Sequence, residues 1–169
     1  MRTVGEFHYI QHQADGTPYE DRTLLSDLAI RVAKEEGLRI ALLRCAYFRA
    51  GPGRSPEPGQ LRFCDPTPDS VLRDVETLRT RYAGDPDVRI GLAPHSVRAV
   101  PPLFLKELIA YAKSAQIPLH MHVSEQQREV DECLAETGKR PLQFLHDEGA
   151  LDSHFVAVHA TCLDDHEVS

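Results

Sequence analysis

Three residues able to do chemistry crowd into the stretch 118–126, PLHMHVSEQ: His120, His122 and Glu125. In an extended strand successive side chains alternate, so His120 and His122 leave the same face and Glu125 falls just past the strand's end. Two imidazoles so placed are candidate metal ligands, and the carboxylate beside them is a candidate proton shuttle. Polar groups aimed into a sheet's inner face are costly without partners, so three together point to a site rather than to chance.

The elements that must position them follow a regular alternation. Thr3 to Ile10 reads as a strand, and Thr23 to Glu36 as a helix with an apolar stripe at Leu24, Leu25, Leu28, Ala29 and Val32, closed by Gly37. Leu38 to Phe48 is a second strand, its apolar run interrupted only by Arg39 and Arg44. Asp69 to Tyr82 returns to helical spacing, Val88 to Ala93 is a third strand, and Pro101-Pro102 opens a helix running through Leu105, Leu108, Ile109 and Ala112. The stretch at 118–126 supplies the fourth strand. Helical segments at Gln126 to Glu136 and Pro141 to Glu148 come next, then a fifth strand, Phe155 to His159.

Strands alternating with helices, without hairpin signals, predict parallel strands joined by crossover helices. Each predicted strand end carries functional side chains: Glu6, His8 and Tyr9; Tyr47; His95 and Arg98; His122 and Glu125; His159. A doubly wound sheet gathers ligands at one switch point, whereas a (β/α)8 barrel collects them from many strand ends. The expected fold is therefore α/β, a partial TIM-type barrel of about five parallel strands, with residues 1–169 forming one incomplete catalytic domain. Such a barrel typically takes about 250 residues, so the chain is expected to be a piece of a longer protein.

Composition narrows the function. With 19 Lys and Arg against 26 Asp and Glu the net charge is −7, and the basic residues are scattered, which argues against nucleic acid or an anionic membrane as partner. No apolar run reaches the roughly 18 residues of a membrane span, and no signal peptide is evident, so the expected location is cytoplasmic. Cys45, Cys64, Cys133 and Cys162 form no Cys-x-x-Cys pair and are expected to be reduced thiols. His12, His146, His154 and His166 are read as surface or helix residues. Between Arg49 and Pro68 lie Pro52, Pro56, Pro58, Pro66 and Pro68 with Gly51, Gly53 and Gly59, a long connection expected to be either a loop over the site or disordered.

The run from His120 to Gln126, with His159-Ala160-Thr161-Cys162 downstream, resembles strands five and six of the amidohydrolase superfamily. Residues 4–9 (VGEFHY), 59–63 (GQLRF) and 93–100 (APHSVRAV) look like one family within it, formimidoylglutamate deiminase. The resemblance extends from barrel strand two to just past strand six. It implies zinc as cofactor, His122 as a metal ligand, Glu125 as the proton shuttle, and His159 as a partner of the metal-associated water or itself a ligand. It also implies that His95, Arg98 and Tyr9 recognise the glutamate portion of a small-molecule substrate. A guanidinium taking a carboxylate bidentately suits Arg98 to that role. A homodimer is the separate expectation for the full-length protein.

The family's His-x-His pair on strand one and its Asp on strand eight have no counterpart here. A catalytic zinc takes three protein ligands and water, so this chain is expected to be inactive alone. Two other readings stay open: a deaminase of the same superfamily acting on a heteroaromatic ring, and a partial barrel without catalysis that serves as a binding module.

Overall fold

The computed structural model describes residues 2–168. Its single sheet contains β1 (Thr3–His8), β2 (Arg39–Ala46), β3 (Val88–Pro94), β4 (Leu119–Val123) and β5 (Phe155–His159), in that order and all parallel. Helices α1 (Leu24–Glu35), α2 (Pro68–Arg81) and α3 (Pro102–Ala115) make the first three crossovers. The fourth is shared by α4 (Gln127–Thr137) and α5 (Pro141–Asp147), and α6 (Asp165–Val168) follows β5. A strand order that never reverses is that of a half-barrel rather than a doubly wound sheet. No helix among the described residues is long and apolar enough to cross a membrane.

Alternation along the strands sorts side chains to two faces. Leu119, Met121 and Val123 of β4 join the core beneath the helices, which leaves His120 and His122 on the inner face. On β1 the inner residue Phe7 stacks on His122, with ring centroids 4.5 Å apart. Glu6 and His8 therefore point outward, where they line a groove with Val4 and α1. That corrects their placement among the functional strand ends. The first strand also stops at His8 rather than Ile10, which frees Tyr9 from the ladder.

The helical faces of α2 and α3 are buried as their spacing predicts: Val71, Val75 and Leu78 on one, Leu105, Leu108, Ile109 and Ala112 on the other. Helix α1 departs from expectation. Its buried residues are Ser26, Ile30 and Ala33, while Leu28 and Val32 of the predicted stripe are 40% and 56% exposed. The cause is the sheet edge: among the described residues β1 pairs only with β2, so half of the stripe faces an open groove beside Val4.

Charge, rather than apolar packing, fastens the outer side of the sheet to the long connection. Arg44, expected only as an interruption of β2, is fully buried and sits 2.8 Å from Asp65 and 2.7 Å from Asp74. Arg22 approaches Asp74 at 2.9 Å from the rim. His12, expected at the surface, is 3% exposed and has Nε2 3.7 Å from Asp65. Burial alone would raise the Asp65 pKa, but the Arg44 guanidinium overrides it and holds the carboxyl below its ordinary value. The same residue ties down the backbone, since the Asp65 amide donates to the Tyr47 carbonyl at 2.8 Å and the His12 amide to the Arg62 carbonyl at 2.9 Å. The connection is thus a built loop. A 3-10 turn at Pro58–Gln60 is locked by reciprocal bonds between Glu57 and Gln60.

Candidate active site

Four strand ends deliver imidazole, phenol, carboxylate and guanidinium to one inner surface. His122 leaves β4 inward, its Nε2 3.0 Å from the Tyr9 hydroxyl. Its ring lies against His95, with centroids 4.8 Å apart, and stacks on His159 at 5.0 Å. Register alone would not have placed His159 there, because its partner in β4 is Val123, which faces the core. The backbone supplies the correction: His159 and Ala160 have φ of 72° and 51°. That left-handed turn swings the imidazole out of the strand's alternation and onto the inner face. Such conformations are uncommon for residues other than glycine and gather at functional sites.

Glu125 stands one residue beyond another left-handed position, Ser124 with φ of 50°. Its carboxylate lies 3.8 Å from His159 Nε2. The turn that presents it is held from below by Glu129, in the first turn of α4, whose carboxylate accepts the Ser124 amide at 3.1 Å and the Glu125 amide at 3.2 Å. From the neighbouring strand end, the Cys162 amide donates to the Ser124 carbonyl at 2.8 Å and the Thr161 hydroxyl to the Glu125 carbonyl at 2.8 Å. Both faces of the Glu125 turn are therefore pinned.

Burial disfavours the charged forms of His95 and His122. Burial, reinforced by His122 and Arg98, pushes the His95 pKa down to about 3. Burial, then His159, lowers that of His122. A neutral ring keeps a lone pair, and His122 Nδ1 is buried without a hydrogen-bond partner among the described residues. That orphaned nitrogen fits a divalent metal ligand. His120 shares the inner face but makes no contact with this group that the geometry requires, and the described residues contain no set of three metal-binding side chains. His122 and His159 lie side by side there, two imidazoles and so fewer than three candidate ligands.

Next to these rings opens a cleft of about 260 Å³, lined by Arg54, Gln60, Arg98, Glu125, Arg128 and Glu129 among others. Arg98 Nη1 donates to the Tyr47 hydroxyl at 3.1 Å and to the Ala50 carbonyl at 3.3 Å, so the guanidinium is held at the cleft wall. His95 lies behind it, its Nδ1 2.9 Å from the Ser96 hydroxyl. Of the residues singled out from sequence, Tyr9, His95, Arg98, His122, Glu125 and His159 gather on this inner surface, Arg98 and Glu125 lining the cleft, while Glu6 and His8 point outward. Sequence reasoning missed Gln60 and Glu129 as parts of the site. Glu129 did carry a signal, an acidic residue three positions past the N-cap Gln126; Gln60 acts only through the folded loop.

The profile of the Amidohydrolase family matches residues 2–169. Formimidoylglutamate deiminase of Pseudomonas aeruginosa is 40% identical over 169 residues, covering 98% of this chain and 36% of that protein. The 5-methylthioadenosine/S-adenosylhomocysteine deaminase of Syntrophobacter fumaroxidans is 29% identical over 152 residues, covering 90% and 32%. Among solved structures, an amidohydrolase from Brucella melitensis superposes with a TM-score of 0.87 at 36% identity, over 96% of this chain and 36% of that one. The chain thus spans about a third of the length of the relatives it matches. With the half-barrel, the inward His122 and the profile match in agreement, the chain belongs to the amidohydrolase family.

Proposed function

We propose that this chain is the strand-two to strand-six part of a zinc-dependent deiminase that converts N-formimino-L-glutamate and water to N-formyl-L-glutamate and ammonia, a step of histidine degradation. The observation that carries the reading is the cleft: Arg98 and Arg54 stand beside Glu125 within one small volume. Arginines there match the carboxylates of such a substrate, and Glu125 faces its amidine end. Similarity to the Pseudomonas aeruginosa enzyme supports the same substrate.

His122 would hold the metal, with His159 as second ligand or as hydrogen-bond partner of the attacking water. Zinc in such a site lowers the pKa of water toward neutrality and polarises the carbon under attack. Glu125 takes the proton that the attacking water releases and delivers it to the imino nitrogen. It then carries the second proton, from the new hydroxyl, to the same nitrogen, so that ammonia rather than an amide ion leaves as the formyl carbonyl forms. Its fixed turn keeps the carboxylate aimed while the proton moves. Arg98 anchors the far carboxylate, which places the amidine carbon within reach of Glu125.

A heteroaromatic substrate has one observation on its side, the rings of Phe7, Tyr9, Tyr47 and Phe63 around His95. These rings are committed to one another and to the imidazoles at centroid distances of 4.5–6.4 Å, and Tyr47 is 3% exposed. They form a packed floor rather than an open stacking face. The deciding experiment follows ammonia release by a full-length barrel carrying this chain, offered N-formimino-L-glutamate and S-adenosylhomocysteine in parallel. Release from the first alone is expected; release from the second alone overturns the reading. Arg98→Lys refines it, with kcat/KM for N-formimino-L-glutamate falling by roughly 2–3 kcal/mol while a carboxylate-free formamidine is spared.

A further inference from the structure

Tyr47 follows the end of β2, and its hydroxyl is held by two residues that line the cleft, Gln60 and Arg98. Gln60 Nε2 donates to it at 3.1 Å and Arg98 Nη1 donates to it at 3.1 Å. The direction of the Gln60 bond is fixed independently, because Gln60 Oε1 already accepts the Glu57 amide at 2.8 Å. The amide therefore cannot turn its oxygen toward Tyr47 without breaking the 3-10 turn. An arginine has no acceptor to offer either. Both lone pairs of the phenol oxygen are thus taken by donors, and its own proton has no acceptor among the described residues. A buried hydroxyl proton left without an acceptor is costly.

We propose that Tyr47 is a further substrate-binding residue: its phenol proton is donated to the carboxylate that Arg98 takes, and Gln60 is the positioning residue that aims it. The inference rests on the reading of Arg98 as a carboxylate anchor, and it extends that reading to a three-residue anion subsite reaching into the 49–68 loop. Arg98 shares one donor with the phenol oxygen and keeps others for the ligand. The anion would receive charge-assisted bonds from the guanidinium and from a phenol made a stronger donor by the two bonds to its oxygen. Gln60 then contributes to specificity through a hydrogen-bond direction rather than by touching substrate.

The test is steady-state kinetics of a full-length barrel carrying this chain, with N-formimino-L-glutamate and a carboxylate-free formamidine as substrates. Tyr47→Phe is expected to raise KM for N-formimino-L-glutamate roughly 10- to 100-fold, the worth of a hydrogen bond to a charged group, with kcat within about twofold and the formamidine unaffected. Gln60→Glu keeps the shape and the bond to the Glu57 amide but offers Tyr47 an acceptor. It is expected to reproduce the KM rise and to add nothing in a Tyr47→Phe background.

An equal loss on both substrates in Tyr47→Phe would mean that the ring only packs against His95 and Phe63, and would overturn the proposal. A KM rise from Gln60→Glu that persists in the Tyr47→Phe background would be charge repulsion, and would remove Gln60's aiming role. If Arg98→Lys discriminates between the substrates and Tyr47→Phe does not, the anchor stands and Tyr47 has no part in it. If Arg98→Lys does not discriminate, the carboxylate reading fails first and takes this proposal with it.

Discussion

Two polar clusters sit on opposite faces of the same sheet, and they differ in how their charges are balanced. On the outer face Arg44, Asp65 and Asp74 form a buried network in which each carboxylate has a guanidinium within 2.7–2.8 Å. On the inner face, among the described residues, His122 keeps a nitrogen without a partner and Tyr47 a proton without an acceptor, and His159 holds a left-handed backbone. Pairing of the first kind holds a loop to a scaffold. Unsatisfied groups of the second kind are what a ligand would complete. Buried charge alone therefore does not mark the site in this fold, and neither does a lone unpaired atom, since Arg44 Nε and His12 Nδ1 on the outer face also lack partners among the described residues; the convergence of such groups beside a cleft does.

The contrast can be broken most sharply on the inner face. In a full-length barrel Glu125→Gln is expected to lower kcat by about 10²–10⁴ while the metal content and melting temperature stay unchanged, since the amide keeps the volume but cannot carry a proton. His122→Ala is expected to lose metal and activity together. Metal analysis beside kinetics separates the two, and loss of metal in Glu125→Gln would move that residue from proton carrier to metal support.

On the outer face the expected signature is the reverse. Asp65→Asn leaves the fully buried Arg44 short of a counter-charge and is expected to cost roughly 3–5 kcal/mol of stability in urea unfolding, with metal content retained. A fall in metal content as large as that of His122→Ala would mean that the faces are not separable. Acid supplies a gentler probe of the same network. Because the Asp65 pKa is depressed in the folded state, its contribution is fully present above the ordinary value of 3.8 and is lost as pH falls through the folded value below it. Wild type and Asp65→Asn should thus converge in melting temperature below that pH and diverge above it. The smallest effect is the control: Arg73→Ala removes a surface ion pair with Asp69 and is expected to change stability by no more than about 0.5 kcal/mol.

Most of the inner face was legible because period and position carry it. His122, Glu125, Arg98 and His95 lie at the ends of apolar strand runs, where alternation and turn residues announce both the strand and its tip. The aim of His159 was hidden, since alternation gives it the wrong face and only a left-handed turn corrects it. The outer network was not legible at all. Arg44 reads as a break in a strand, and its partners Asp65 and Asp74 become neighbours only when the loop and α2 fold back. His12 looked like a surface residue for the same reason, as its burial depends on the Arg62 backbone covering it. Tyr47 was visible as a strand-end residue, but the direction of its hydrogen bonds depends on a 3-10 turn that no periodicity signals.

The Glu129 hook has a consequence for how such a chain can diversify. Only Ser124, Glu125 and Gln126 separate β4 from α4, and both amides that Glu129 accepts lie within those three residues. A single inserted residue there would unhook the turn and spend the new backbone freedom on the one carboxylate whose direction matters. The connection after β2 is built differently. Its fixed points are Tyr47, Gln60 and Asp65, and between them the exposed residues Gly53, Arg54 and Ser55 form a bend, carrying the cleft residue Arg54, that can change length without moving any of the three. Insertions and deletions should accumulate in that bend and be absent from the three-residue turn, so that ligand preference can drift while the proton-carrying geometry is inherited unchanged.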